Sequence, residues 1–408
     1  MSHEFTDVLS GIKVVELSTY IAAPGCAKAL ADWGATVIKV EAPNGDPFRA
    51  FGASMGLPIS DDENPFWDME NANKKGITIN LKTPEGKEIF ERLLADADVF
   101  VTNVRGGSLK KQGIDYETLH AKFPKLVWAH TTGQGADGPD AEKAGYDISS
   151  YWARSGALID LVSPGLPPLN SPTGMADNSS NYVLAAGICA ALVKAKMTGK
   201  GSRVTTSLYG LAVWAGSCYV LATQYGQKYP KDRYVSNPLM SAYCCADGEW
   251  VQVVNPDYNR FYNAMCKVLG LDELVDDERF NTIPHVGQGN NREILMKKFE
   301  EAFKKKDRAE WMELLAEADI ANGPVAHYAD VINDAQAWEN HYVLKHTYES
   351  GKEIGMPTTP VQFDERVEPP FQVGPRLGEH TVEILKGHGY SDEEIEKLLA
   401  AGVVTSWK

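Results

Sequence analysis

Between residues 12 and 129 the chain alternates short β-branched runs with amphipathic stretches, and this alternation limits the possible folds more than any other feature. Residues 12–17, 36–40, 77–81, 98–102 and 126–129 read as strands, and residues 24–33, 84–95 and 116–123 as helices. Pro24 and Pro84 suit first helical positions, and Gly34 suits a helix stop. Strands separated by helices need crossover connections, so the spacing predicts a parallel sheet covered on both faces: an α/β, Rossmann-like large domain. Ligands of such sheets bind beyond the carboxyl ends of the strands. That points to three loops, at residues 18–24, 103–107 and 130–135. None reads G-x-G-x-x-G or carries a Walker lysine, so the fingerprints of nicotinamide and nucleoside triphosphate sites are missing.

At 408 residues the chain exceeds the usual single-domain size. Residues 1–225 are expected to form the first part of the large domain. Residues 226–330 change to mixed strand and helix signals and read as a smaller α+β domain. Residues 331–408, with a proline-rich run at 356–375 and a capped helix at 391–400, read as a linker and a segment returning to the large domain. The net charge of −15 argues against nucleic acid or an anionic membrane surface as a partner. No stretch has the length or apolarity of a membrane span, and no leader pattern opens the chain, so a soluble, cytoplasmic protein is expected. The six cysteines show neither C-x-x-C pairs nor ligand spacing with histidine, and no metal site is expected.

Residues 179–197 carry small and apolar residues at helical spacing, closed by Lys194, Lys196 and Gly199. Asp177 stands at the head of this stretch, where free backbone N–H groups and the positive end of the helix dipole converge. It reads either as an ordinary N-cap or as a carboxylate nucleophile kept ionised by the dipole. Lys74, Lys75, Arg105, Lys110 and Lys111 fall in loops beyond strand ends, where phosphates would be met. His130 reads as a satisfied, half-buried imidazole; Asp147 and Glu70 read either as groups able to orient a site or as ordinary surface or turn carboxylates.

Several segments taken in order resemble the class III CoA-transferases. They are the run 9–17, Ala23-Pro24, the run 34–41, Gly45-Asp46-Pro47, Asn71-Ala72-Asn73-Lys74-Lys75, the run 98–103, Asp177 and Thr198-Gly199-Lys200-Gly201. The resemblance implies two subunits interlocked as a homodimer. It makes coenzyme A and acyl-CoA substrates rather than permanently bound cofactors, with a small carboxylic acid as the other partner. Asp177 matches the family's catalytic aspartate, which forms an acyl anhydride and then an aspartyl-CoA thioester. Asn71, Asn73, Lys74, Asn103, Arg105, Lys111, Thr132 and Gly133 become the expected CoA-binding residues.

The chain departs from the oxalate-type members at informative places. Ile21 stands where many carry glutamine, Thr132 where a lysine is usual, and residues 236–241 replace a glycine-rich lid. Racemases of the same fold have a Gly-His-Asp step; here it is Gly145-Tyr146-Asp147, and a tyrosine is too weak a base for α-proton abstraction. These features resemble the members acting on 2-hydroxy acids such as 2-hydroxyisocaproate or phenyllactate. Ile21, Ala22, Met175, Leu239 and Met240 are then expected to line an apolar acceptor pocket. The alternatives implied by the fold are an acyl-CoA racemase and transfer to another carboxylate, carnitine- or bile-acid-like.

Overall fold

The computed structural model describes residues 8–363 and 371–407. Two compact units emerge. One comprises residues 1–158, 170–225 and 335–408, the other residues 159–169 and 226–334.

In the larger unit the elements run β1 (Lys13–Leu17), α1 (Pro24–Asp32), β2 (Thr36–Glu41), α2 (Pro65–Asn71), β3 (Lys75–Thr78), α3 (Pro84–Ala95), β4 (Val99–Thr102), α4 (Gly106–Gln112), α5 (Tyr116–Lys122) and β5 (Val127–Thr132). A wide π-type turn at Asp147–Ala153 and a short α6 (Ala157–Asp160) precede the long α7 (Met175–Thr198). Then come β6 (Arg203–Ser207), α8 (Leu208–Ala215) and α9 (Ser217–Gln224). The six strands form one parallel sheet in the order β3-β2-β1-β4-β5-β6. This is the doubly wound order, with its switch point between β1 and β4. One face is covered by α1 and α7 through Leu30, Leu184 and Ile188; the other by Phe90, Leu94 and Leu119 of α3 and α5.

The smaller unit pairs β7 (Ala242–Cys244), β8 (Trp250–Val253) and β9 (Asn322–Val325) antiparallel. Against them pack α10 (Tyr258–Val268), α11 (Ile283–Val286), α12 (Asn291–Phe303) and α13 (Arg308–Glu317), around Tyr243, Tyr262, Phe299 and Trp311. The chain then resumes the larger unit with α14 (Ala335–Glu339), a β10–β11 hairpin (Val343–Thr347, Glu353–Pro357), α15 (Thr381–Gly387) and α16 (Asp392–Ala400). The capped helix expected from residue 391 is present, with Ser391 and Glu394 forming a capping box.

Three elements differ from what local sequence pattern suggests. The third strand sits at Lys75–Thr78, where Lys75 aligns with Ile38, so it starts earlier than its apolar run. β6 escapes sequence reading because Arg-Val-Thr-Thr-Ser is a half-exposed edge strand without an apolar pattern. The apolar stretch 208–225, whose composition suits a single helix, is divided into two at Gly216.

Candidate active site

The switch-point cleft has a volume of about 390 Å³ and is built entirely from the larger unit. Its walls are the loop after β1 (Thr19 to Ala22), the loop after β4 (Asn103, Val104, Arg105, with Ser108 of α4), and Thr132-Gly133 after β5. Thr131, Ala141, residues 143–146, Asp177 and Leu208 complete it. Two loops meet through glycines: a Cβ at Gly133 would lie 2.5 Å from the Gly145 Cα, so no larger residue fits there.

Asp177 occupies the first turn of α7, but the N-cap is Gly174, in the left-handed region with φ 83°. Asp177 is therefore not the cap. The helix N-terminus is satisfied from elsewhere, by the buried Asp147. Its Oδ2 accepts from the Ala176 N–H at 2.7 Å and from the Asp177 N–H at 3.1 Å. This overturns the expected electrostatics, because the donors that were to hold Asp177 ionised are already engaged by a second carboxylate. Burial first, and the nearby Asp147 charge second, push the Asp177 carboxyl up to about 7. Burial raises Asp147 as well, against the lowering effect of its bonds to the Asp177 and Ala176 N–H groups. Among the described residues no cation pairs with Asp177.

Of the other expected residues, Ile21, Ala22, Asn103, Arg105, Thr132 and Gly133 line the cleft beside Asp177. Asn103 holds the β1 loop through a reciprocal amide pair, accepting from Thr19 N–H at 3.1 Å and donating to Thr19 O at 2.7 Å. The remaining expected residues are elsewhere. Lys74 is fully buried and saturated, with its Nζ at 2.7 Å from Glu16 Oε2, 2.8 Å from Pro24 O and 2.9 Å from Asn71 Oδ1. Asn71 is equally buried, and Asn73 donates to Asp32 and accepts from the Gln372 N–H. This trio braces the unit and does not face the cleft. Lys111 is exposed on α4, outside the cleft lining. Met175 is exposed at the start of α7 and Met240 on the smaller unit, whereas Leu239 is a core residue of that unit. A loop residue and a core residue look alike in sequence when both are apolar.

His130 is buried, with Nε2 2.9 Å from Val104 O, and burial pulls its pKa down to about 4, so it is a neutral strut. Sequence reading missed Tyr20, Tyr146, Lys143 and Ser108 as lining residues. Tyr20 and Tyr146 carried signals, the first from its place in the loop after the first strand and the second from its place in the Gly145-Tyr146-Asp147 step; Lys143 and Ser108 carried none.

Fold and cleft together define a doubly wound α/β protein with a ligand site at the switch point and an uncompensated carboxylate in it. A family model described as CoA-transferase family III matches residues 9–381. The chain belongs to this family and is a CoA-transferase. It is 42% identical to the (R)-2-hydroxy-4-methylpentanoate CoA-transferase of Clostridioides difficile, over 97% of this chain and 99% of that one. It is also 42% identical to the cinnamoyl-CoA:phenyllactate CoA-transferase of Clostridium sporogenes, over 96% of each chain. Among solved structures, a CAIB/BAIF family protein from Brucella suis superposes with a TM-score of 0.76 at 30% identity, covering 93% of this chain and 99% of that one.

Proposed function

We propose that the enzyme moves CoA from an acyl-CoA to an (R)-2-hydroxy acid with an apolar side chain, such as 2-hydroxyisocaproate or phenyllactate, with Asp177 as the nucleophile. The observation that carries the reading is the Asp177 carboxylate: it opens on the cleft, has no cationic partner among the described residues, and has its pKa pushed up to about 7 by burial and by Asp147. A carboxylate in water is a weak nucleophile; one relieved of solvation and left without a counter-charge is a stronger one. The two relatives named above support the acceptor class.

In this reading the Asp177 oxygen attacks the thioester carbonyl, the C–S bond breaks, and CoA leaves as thiolate. The thiolate attacks the aspartyl carbonyl of the mixed anhydride, releasing the donor acid as carboxylate and leaving an aspartyl-CoA thioester. The acceptor carboxylate displaces the thiolate to form a second anhydride. The thiolate then attacks the acceptor's acyl carbon and frees Asp177. Each step exchanges one carboxylate or thiolate for another, so no proton is needed. Asn103, Arg105, Thr132 and Gly133 are the proposed CoA contacts, and Ile21 and Ala22 the proposed wall of the acid pocket.

The enzyme is proposed to work in the cytoplasm as a homodimer. Among the described residues no helix is long and apolar enough to cross a membrane. The end of α7 and helices α8 and α9 expose Met197, Trp214, Leu221 and Tyr225, apolar surface of the kind a second copy would cover. Light scattering showing an active monomer at micromolar concentration would remove the dimer. Incubation with an acyl-CoA and hydroxylamine, followed by peptide mass analysis, tests the chemistry. A hydroxamate at Asp177 supports it, and full activity without any trapped species refutes it. A donor and acceptor panel in which oxalate matches the best apolar 2-hydroxy acid would sink the substrate assignment.

A further inference from the structure

Tyr20 has φ 64°, in the left-handed region. For an aromatic residue this conformation is costly and survives only where the surroundings impose it. Here they do, on both sides. The preceding Thr19 is clamped by the amide of Asn103. The Tyr20 N–H donates to Asp46 Oδ1 at 3.2 Å, and the same oxygen accepts from the Phe48 N–H at 2.9 Å. Asp46 is itself fixed by the fully buried Lys39, 3.1 Å away. The strain therefore sets the direction of one side chain. The ring of Tyr20 stands edge-on to Tyr146 at 6.0 Å and to Phe51 at 6.5 Å, with Phe48 at 6.4 Å behind. Tyr20, Ile21, Tyr146 and Asp177 all face the same cleft. The cations of that lining, Arg105 and Lys143, come from other loops, so the edge formed by the β1 loop is aromatic and uncharged.

We propose that Tyr20 is a specificity-determining residue: its ring, aimed by an enforced left-handed backbone, forms the wall that receives the apolar side chain of the acid. The inference rests on the function proposed above and extends it to the group that reads side-chain size. An aromatic edge favours aryl and branched alkyl groups by contact and has nothing to offer a methyl group at the same distance.

The test is the ratio of kcat/KM for phenyllactate over lactate in wild type, Tyr20→Phe, Tyr20→Ala and Tyr20→Gly, with 3-phenylpropanoate and propanoate run alongside. The ratio should fall at least about tenfold in Tyr20→Ala and Tyr20→Gly, chiefly through KM of the larger acid, a size typical of lost apolar contact. Tyr20→Phe should keep it within about twofold. The glycine variant adopts φ 64° without strain, so it reads the ring even where alanine disturbs the loop. Should wild type use the unsubstituted acids as well as the hydroxy acids, the 2-hydroxy-acid assignment fails while the size ratio still tests Tyr20. The Tyr20 proposal is overturned if wild type shows no size preference, if alanine or glycine leaves the ratio intact, or if phenylalanine lowers it as far as alanine does.

Discussion

Two buried clusters of charge lie in the larger unit, and they are built on opposite principles. Behind the sheet end, Glu16 is fully enclosed and bonded to both Lys39 at 2.8 Å and Lys74 at 2.7 Å, with Asp46 on the far side of Lys39. Burial alone would raise Glu16, but the two ammonium groups outweigh it and hold its carboxyl below the usual range. At the cleft, Asp177 has the burial without the lysines and a second carboxylate nearby, and its pKa rises to about 7. The first arrangement spends its charges on each other and fixes geometry. The second leaves a charge unsatisfied, which is what a reacting group requires. Their pH responses also have opposite signs. Glu16 is depressed, so its contribution to stability is present above the unfolded-state pKa and is lost as pH falls through the folded value. Asp177 is raised, so the folded state binds more protons than the unfolded one between about 4 and 7, and stability falls as pH rises through that window.

The contrast can be broken most directly at Asp177. Asp177→Asn should fold, bind CoA and lose turnover by at least about a thousandfold, the cost of removing a covalent nucleophile. More than a tenth of wild-type activity, with deamidation excluded by mass, would remove the distinction between the clusters. Lys74→Met strikes the other cluster. It strips a donor from Glu16, Pro24 O and Asn71 together, and it should cost about 3–4 kcal/mol in urea denaturation, as for one partner lost from a buried pair. A normal denaturation midpoint with a raised KM for acyl-CoA would instead return Lys74 to phosphate binding.

The pH profile sharpens the comparison. On the proposed chemistry Asp177 attacks as the ionised carboxylate, so kcat/KM for the donor should rise with pH through about 7. Asp147→Asn keeps an oxygen for the helix N–H groups but removes the charge, so the midpoint should move down; an unchanged midpoint would show that burial alone, and not the Asp147 charge, raises Asp177. The smallest effect concerns stability. Asp177→Asn should be more stable than wild type at pH 8 by roughly 2 kcal/mol, the scale of a pKa shift of this size after discounting for partial exposure, and no more stable at pH 4. Equal stability at both values would mean that the carboxylate is not strained by its surroundings.

Much of the sheet was legible because its signals are local. Proline at the first helical turn, β-branched runs and glycine stops place β1, α1, β2, α3 and β4 within a residue or two. Asp177 was legible as well, from small residues and a helix start. Asp147 was legible only as a carboxylate able to orient a site; its partners were not, because 30 residues separate it from Asp177 and only the fold brings it onto the Ala176 and Asp177 N–H groups. Lys74 misled for a related reason. A lysine in a loop next to asparagines looks solvated, and nothing nearby in sequence announces that Glu16, over 50 residues earlier, will bury it.

The sequence by itself determined the parallel α/β architecture and the family, since both are written in periodicity and in ordered short motifs. It also determined the residue types available at the strand ends. Tertiary structure alone decided which of those residues share a space: Asp147 with the α7 N-terminus, Lys74 with Glu16, Tyr20 with Tyr146 and Asp177 in one cleft. The physical reason is that backbone propensity acts over a few residues, whereas desolvation and Coulomb interaction depend only on distance in space.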